Sequence, residues 1–483
     1  MPFLMKGYTM LFSSIPFLYY FFPIVMVLYF LVPFKFKNAV LLATSLFFYF
    51  YGEPVYVLLM LFSCLSSYIH GLLIDKCRGT KWAKFWVVSS VTTSLLMLGF
   101  FKYSDFFISN INSILSSNIS LLGVILPIGI SFYTFQTLSY TIDVYRGDAK
   151  VQKSFVRLAT YVALFPQLIA GPIVRYTTVE EDLTERKHTL SGFASGVTRF
   201  IIGLGKKVLV ADVLYELIVA FRASDDKSVL FYWLYAFAFG LQIYFDFSGY
   251  SDMAIGLGRM FGFRFLENFN YPYISKSVAE FWRRWHMSLG TWFRDYVYIP
   301  LGGNRVSSMR WVFNTLVVWM LTGFWHGANW TFIIWGLYFA IFLMLEKFFL
   351  KKLLEKLPAV FSHIYVVVVI MVSFVIFNAD TAGTGESALT VAIRDIRGMF
   401  GALDVPLVSK EALYYLSNYS IMLVAAILGA TPLFKTVIEK CKKHKGCAIV
   451  IDICEPLFVA AVLILVSAVF VNGSFSPFLY FQF

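Results

Sequence analysis

Long apolar stretches separated by short polar loops make up most of this chain. Each stretch predicts a membrane-spanning helix, because an α-helix needs roughly 20 apolar residues to cross a bilayer. The predicted spans are 15–33, 38–51, 54–74, 85–103, 121–141, 155–172, 194–220, 229–247, 311–325, 330–349, 360–377, 418–434 and 448–472. Several are short or broken, so we expect an all-α polytopic membrane protein with about 11 to 13 transmembrane or re-entrant helices.

The region 248–310 contains no clean span, although it is rich in aromatic and basic residues. At membrane depth, irregular backbone is tolerated only where it is buried in protein or lines a cavity. We therefore expect functional residues in this region. No linker or low-complexity segment divides the chain, which predicts a single integral membrane domain over 1–483.

Composition supports a membrane protein. Apolar residues make up 59% of the chain and charged residues 14%, with a mean hydropathy of +0.73. Soluble domains carry about 25% charged residues. A soluble enzyme, a disordered chain and a disulfide-stapled secreted domain are excluded. Aromatic residues reach 19%, and Tyr and Trp are suited to the bilayer interface.

The net charge of +12 comes from short basic runs between the apolar stretches. This pattern is typical of cytoplasmic loops rather than of nucleic-acid binding. It places Lys35 and Lys37, then 76–84, 146–153, 347–356 and 435–445, on the cytoplasmic side. The loops 104–120 and 378–416 and both termini are then outside. The first apolar stretch lacks a cleavage site and is predicted to be retained.

His326 is the most informative of the six histidines. It lies between two apolar helices, with Gly323 and Gly327 on either side. An ionisable residue at membrane depth usually marks a pathway or a reactive site, and neutral imidazole can act as a general base in acyl transfer. A histidine that is simply hydrogen-bonded to a neighbouring helix explains the residue equally well.

His286 follows a pattern typical of an amphipathic helix at the cytoplasmic interface. Trp282, Trp285 and Leu289 recur at helical spacing, while Arg283 and Arg284 fall on another face. His286 is then either a polar residue of an interfacial anchor or a second polar group facing an acyl donor. In the second case the arginines could pair with phosphate. The pattern by itself favours the anchor.

Other candidate sites are weaker. Asp246 and Asp252 lie just past a predicted span, either as helix caps or as the lining of a polar cavity. The spacing of Cys441, His444, Cys447 and Cys454 matches no standard zinc site. We expect no bound metal and no bound cofactor.

Seven motifs, taken together, resemble those of the membrane-bound O-acyltransferase family. They are LPIGISFYTFQ (126–136), IDVYR (142–146), FPQLIAGP (165–172), YFDFSGYSD (244–252), FWRRWH (281–286), FRDYVYIPLGG (293–303) and GFWHG (323–327). The resemblance runs along most of the chain. So many long motifs in the same order make it specific. Within the family, the resemblance is to the bacterial branch that acts in alginate O-acetylation.

The resemblance implies a multi-helix body around a central funnel in the inner membrane of a bacterium. The family's pair of histidines matches His286 and His326, which makes both of them candidate catalytic residues, with His326 the usual catalytic one. It also implies an acyl thioester donor such as acetyl-CoA, with the acyl group passed to an exported glycan or to an exported transferase of the SGNH type. Candidate residues for donor or acceptor binding are Trp282, Arg283, Trp285, Trp325, Asn329 and Asp246, with Asn329 a possible oxyanion donor.

Two alternatives to O-acetyl transfer remain open. The first is a teichoic-acid D-alanyl transferase of the same family, which would load from a carrier protein. The second is a transporter or flippase for a polysaccharide precursor, with the histidines as proton relays. The exported partner predicts a docking surface on the outer face, and the aromatic tail 472–483 is a candidate for it, as a binding anchor or a lipid anchor.

Overall fold

The protein is described by a computed structural model over residues 10–379 and 386–472. Of the described residues, 77% are helical and none lies in a β-strand, which confirms the all-α prediction. Within these two ranges, seven segments are long and apolar enough to span a membrane: Val57–Lys76, Lys81–Leu115, Val229–Met260, Trp330–Lys356, Ala359–Phe377, Lys410–Gly429 and Lys445–Val471. The predicted aromatic docking tail, beyond residue 472, lies outside the described residues, as does 380–385 of the loop 378–416.

The chain divides into two compact units. The first comprises residues 1–204 and 250–266. Its helices are α1 (Phe22–Leu31), α2 (Phe34–Gly52), α3 (Val57–Lys76), α4 (Lys81–Leu115), α5 (Ile130–Arg146), α6 (Phe155–Ala163), α7 (Phe165–Leu168), α8 (Tyr176–Thr184) and α9 (Leu190–Gly205). A π-helical turn, Pro16–Phe21, precedes α1. Helix α3 packs against α4, α5 and α6, while α2 packs against α1 and α6.

The second unit comprises residues 205–249 and 267–483. Its helices are α10 (Asp212–Ala223), α11 (Val229–Met260), α12 (Val278–Arg284), α13 (Met287–Phe293), α14 (Ser308–His326), α15 (Trp330–Leu345), α16 (Lys351–Lys356), α17 (Ala359–Phe377), α18 (Ala388–Met399), α19 (Lys410–Gly429), α20 (Leu433–Cys441) and α21 (Lys445–Val471). Short π or 3₁₀ turns lie at Lys206–Ala211, Pro272–Ile274, Arg294–Tyr298 and Glu346–Leu350. Residues 250–260 of α11 belong to the first unit.

Local chemistry explains many helix ends. The side chains of Ser277, Ser307 and Asn329 accept backbone N–H groups at the starts of α12, α14 and α15. Such caps satisfy donors that have no partner within the helix. In the first unit, Gly129 and Gly147 have positive φ and lie at the two ends of α5.

Several predicted boundaries are wrong. Helix α5 begins only at Ile130, because 117–127 is irregular. The predicted span 155–172 is split at Leu164 into α6 and α7. The span predicted to end at residue 247 continues to Met260, so part of the region 248–310 is helical after all. Hydropathy missed this continuation, because a helix buried by protein tolerates the polar residues of 246–252.

Candidate active site

Helices α14 and α15 approach each other at backbone contact distance. A Cβ atom on Gly323 would lie 2.1 Å from the carbonyl oxygen of Phe332, and one on Gly336 would lie 2.1 Å from that of Trp319. Small residues at such positions let membrane helices pack closely. This contact fixes the end of α14, where His326 is the last residue, against the side chains of α15.

His326 is enclosed by aromatic rings. Its exposed fraction is 7%. The ring of Trp335, from α15, meets it edge-on with centroids 5.0 Å apart, and Phe377, at the end of α17, lies at 5.3 Å. Trp335 and Phe377 also contact each other. The imidazole is therefore held in one place by residues from three helices.

Glu346 fixes the start of α12, the helix that leads to His286. Its buried carboxylate accepts the backbone N–H groups of Val278 at 2.5 Å and Ala279 at 3.0 Å. A carboxylate at this position satisfies donors at a helix start and interacts favourably with the helix dipole. Trp282 of α12 then packs against Trp319 and Phe339, with ring centroids 4.8 Å away in each case. Helix α12 is thus fixed on α14 and α15.

The predicted amphipathic helix through His286 is wrong. Helix α12 ends at Arg284, and His286 has a φ of 43° before α13 begins at Met287. Left-handed backbone is uncommon for a residue other than glycine and clusters at functional sites. His286 is only 1% exposed, so it is not on the polar side of an interfacial anchor.

The hydrogen bonds of His286 define which nitrogen carries the proton. The side-chain oxygen of Asn268 accepts the backbone N–H of Ser288 at 3.3 Å and the Ser288 hydroxyl at 2.8 Å. Nδ1 of His286 lies 3.1 Å from the same oxygen. Since that oxygen can only accept, Nδ1 must donate. Nε2 of a neutral His286 therefore carries a lone pair, and this buried atom has no hydrogen-bond partner.

Burial lowers the pKa of His286 to about 3. Desolvation disfavours the charged form of imidazole, so His286 is neutral throughout the physiological range. It can accept a hydrogen bond through Nε2, but it cannot offer a second donor there.

Trp325 separates the two histidines. The centroid of its ring is 5.0 Å from that of His326 and 6.2 Å from that of His286. The structure thus brings together three of the predicted site residues from two distant stretches of sequence. Two buried imidazoles around one indole form a low-dielectric site suited to proton transfer and to the exclusion of water.

The remaining aromatic and basic candidates have different surroundings. Trp285 is buried among rings, stacked on Phe281 at 5.5 Å, and serves the packing of the unit. Arg284 pairs with Glu280 at 2.9 Å. Arg283 is exposed and forms no ion pair or hydrogen bond with any described residue. Of the two arginines, Arg283 is the one that remains available for an anionic ligand.

Asp246 and Asn329 have structural roles. Asp246 is buried within α11 and forms an ion pair of 2.7 Å with Lys207, which also pairs with Asp212 at 2.7 Å. It caps no helix, so that part of the prediction is wrong. The Asn329 side chain caps α15 by accepting the N–H of Thr331 at 3.1 Å, and the residue is exposed. Its role as an oxyanion donor stays a prediction.

Sequence reasoning missed four residues of this site: Trp335, Phe377, Asn268 and Glu346. Trp335 and Phe377 lie in uniformly apolar helices, where nothing distinguishes them from lipid-facing residues. Asn268 and Glu346 act only through contacts across long sequence separations. Among the described residues, no group of three His, Cys, Asp or Glu side chains is placed to hold a metal ion.

These observations define a class: a multi-pass membrane protein with a buried acid–base site. The family model "MBOAT, membrane-bound O-acyltransferase family" matches residues 149–378. The probable alginate O-acetylase of Azotobacter vinelandii is 40% identical over 98% of this chain and 100% of its own. The peptidoglycan O-acetyltransferase of Helicobacter pylori is 33% identical over 92% and 91%. The teichoic acid D-alanyltransferase of Bacillus subtilis is 32% identical over 52% and 67%.

The chain belongs to the membrane-bound O-acyltransferase family, which confirms the resemblance drawn from its motifs. It is an O-acyltransferase and a multi-pass membrane protein. This result favours an enzyme over the transporter alternative. It also gives the chain a class of reaction, in which an acyl group moves to a hydroxyl oxygen.

Proposed function

We propose that this enzyme transfers an acetyl group from a cytoplasmic thioester, acetyl-CoA, to an exported glycan or to the exported transferase that modifies it. The inner membrane of a bacterium would be its location. The near full-length similarity to alginate O-acetylases, against about half of the chain for a D-alanyltransferase, supports acetyl over D-alanyl transfer. The single observation that carries the mechanism is the pair of buried imidazoles on either side of Trp325.

In this mechanism His326 is the general base. It takes the proton of the acceptor hydroxyl as the oxygen attacks the thioester carbonyl. The tetrahedral intermediate then collapses, the carbon–sulfur bond breaks, and the imidazolium of His326 returns the proton to the departing thiolate. The rings of Trp335 and Phe377 would hold the imidazole still and exclude water, which otherwise competes as the acyl acceptor.

His286 would position a substrate group rather than move a proton. Because its Nε2 can only accept, the matching group is a hydroxyl or an amide N–H. The acceptor hydroxyl and the amides of the pantetheine arm of the donor both fit. Arg283, which is exposed and pairs with no residue in the described part of the chain, would attract the phosphates of the donor from the aqueous side.

The partner would be an exported transferase of the SGNH type, with the glycan as the final acceptor. In this arrangement the exported transferase would take the acyl group at the outer face of the membrane and pass it to the polymer. The segments 104–120 and 378–416, predicted to lie outside, are where such a partner would dock. The structure shows that they are partly helical, since α4 continues to Leu115 and α18 spans Ala388–Met399.

The test is His326→Ala in the purified full-length protein, with acetyl-CoA cleavage and transfer to a soluble sugar acceptor as readouts. We expect transfer to fall by at least about 100-fold, the usual contribution of a general base, in a protein that is still folded but unfolds somewhat earlier because it loses buried contacts. His444→Ala is the matched control, since His444 is exposed. Transfer at the wild-type rate by a folded His326→Ala protein would refute the assignment.

The acceptor and the acyl group need a separate experiment. Mass spectrometry of surface glycans from cells with and without the gene should show that the acetyl esters are lost when the gene is absent. Loss of D-alanine esters instead would support the D-alanyl alternative and overturn the acetyl proposal.

A further inference from the structure

Three basic side chains of the first unit surround the ring of Tyr29 in α1. Lys37, in the first turn of α2, is 9% exposed, and its ammonium lies 4.5 Å from the Tyr29 ring centroid. Arg186, in the loop after α8, is 5% exposed, and its guanidinium carbon lies 5.9 Å from the same centroid. His188 places Nε2 2.8 Å from the Tyr29 hydroxyl.

Two of these cations have unused hydrogen-bonding capacity. Arg186 donates through Nε to the Tyr29 hydroxyl and through Nη1 to the side chain of Asn38, but its buried Nη2 has no partner. The ammonium of Lys37 rests on the rings of Tyr29 and Phe30 and makes no hydrogen bond or ion pair with any described residue. A buried donor without an acceptor is costly unless a ligand supplies one.

Among the described residues, the positive charge is balanced only in part. The buried carboxylate of Asp182 interacts electrostatically with Arg186, but it also accepts the side chain and the backbone N–H of Arg264, each at 3.0 Å. The carboxylate of Glu181 also faces Arg264, and it is exposed. Burial and the charge of Arg186 lower the pKa of Lys37. These positive charges therefore repel each other in a poorly solvated place.

His188 can add a third donor. The Tyr29 hydroxyl donates to the carbonyl oxygen of Phe261 at 2.8 Å, so it must accept from Nε2–H of His188. Nδ1 of His188 is then a lone pair in the neutral ring and an N–H in the protonated ring. Burial, with Lys37 and Arg186 close by, lowers the pKa of His188. An anion bound here would raise the pKa of His188 again. The protonated ring would then donate a third hydrogen bond to the anion, through Nδ1.

Exposed apolar side chains surround the cluster. Phe30 is 44% exposed, Leu31 75% and Phe34 38%. The sequence predicts that Lys37 lies on the cytoplasmic side. A ligand here therefore meets buried cations and an apolar surface together. An anionic phospholipid matches both, with its phosphate at the cations and its acyl chains on the apolar surface.

We propose that Lys37, Arg186 and His188 form a binding site for a phosphate group, occupied by the headgroup of an anionic phospholipid of the cytoplasmic leaflet. The acyl chains would lie along the exposed face of Phe30, Leu31 and Phe34. A phosphate of the thioester donor has the same chemistry and is the alternative source. In either case the phosphate supplies the acceptors that Arg186 Nη2 and Lys37 Nζ lack.

The test compares Lys37→Met with Lys35→Met in the purified full-length protein. Both variants remove one charge from the start of α2, but Lys35 is exposed and lies outside the cluster. Thermal unfolding is measured in neutral detergent alone, with added phosphatidylglycerol, and with added coenzyme A. Native mass spectrometry counts the phosphatidylglycerol molecules that each variant retains.

Wild type and Lys35→Met should gain stability with phosphatidylglycerol, whereas Lys37→Met should gain none and should retain the lipid at least about tenfold more weakly, as expected when a charged hydrogen bond is lost. In neutral detergent Lys37→Met should unfold no earlier than wild type, because it removes an unpaired buried charge. This second result separates a ligand site from a merely structural lysine, whose loss would lower the midpoint everywhere.

Stabilisation by coenzyme A that depends on Lys37, without a response to phosphatidylglycerol, would keep the phosphate site but overturn the lipid as its occupant. Responses to both ligands that are equal in wild type and Lys37→Met would overturn the site altogether.

Discussion

The two histidines of the active site differ in what surrounds them. His326 packs against the rings of Trp335 and Phe377, whereas His286 is oriented by Asn268 through a hydrogen bond that fixes its tautomer. A residue that must stay neutral suits the surroundings of His286.

His286 makes the protein sensitive to acid, and the sign follows from its pKa. In the unfolded chain a histidine titrates near 6.5, whereas burial lowers the pKa of His286 to about 3 in the folded protein. Between these values only the unfolded chain binds the proton, so stability falls as the pH drops from about 6.5 towards 3. At pH 5 the loss is about 2 kcal/mol.

We therefore predict that His286→Asn reduces the difference between the unfolding midpoints measured at pH 7.5 and pH 5.0. The variant will be less stable than wild type at pH 7.5, because it loses packing, but its midpoint will change less with pH. A residual dependence will persist, since burial also lowers the pKa of His188. An unchanged pH dependence in the variant would show that His286 does not carry this effect.

At the scale of elements, the backbone contact between α14 and α15 holds the catalytic geometry. His326 and Trp335 come from different helices, and their ring contact depends on how closely those helices pack. Gly323 and Gly336 are the residues that allow the approach. Glu346 extends the arrangement to α12, and through α12 to His286.

Gly323→Ala should separate α14 from α15, because the new methyl group would overlap the carbonyl of Phe332. We expect a loss of about 1–3 kcal/mol of stability and a fall in acetyl transfer of about 100-fold, as is seen when catalytic groups move by an ångström. Activity assays and thermal unfolding of the purified variant measure both.

Gly99→Ala is the control for this prediction, since it adds the same methyl group in the middle of α4, where nothing lies within 4 Å. Its activity should match that of wild type, and its unfolding midpoint should equal or slightly exceed that of wild type, because alanine favours a helix more than glycine does. A Gly323→Ala protein that behaves like the Gly99→Ala protein would show that close helix contact is not required.

At the scale of the molecule, the two histidines of the candidate active site, His286 and His326, both belong to the second unit. The first unit contains the cation cluster around Tyr29 and much of the lipid-exposed apolar surface. Residues 250–260 of α11 belong to the first unit and residues 229–249 to the second. The candidate active site and the proposed lipid site thus belong to different units of one chain.

The C-terminal segment provides a prediction about the whole system. Deleting residues 478–483 should leave cleavage of acetyl-CoA by the purified protein intact but abolish glycan acetylation in cells, if this aromatic segment anchors the exported partner. Both activities are measured together with the amount of protein in the membrane. Loss of both with loss of protein would indicate a structural role, and retention of both would show that the segment is dispensable.

The sequence by itself determined the all-α membrane class, the family and the two histidines, because hydropathy and short motifs are local properties of the chain. Tertiary structure alone decided what each residue does there. Asp246 pairs with Lys207, Trp285 packs in the core, and His286 leaves the predicted helix for a left-handed turn. Trp335, Asn268 and Glu346 act through contacts between segments far apart in sequence. Packing and hydrogen bonding at such separations leave no periodic signal, so only the folded chain reveals them.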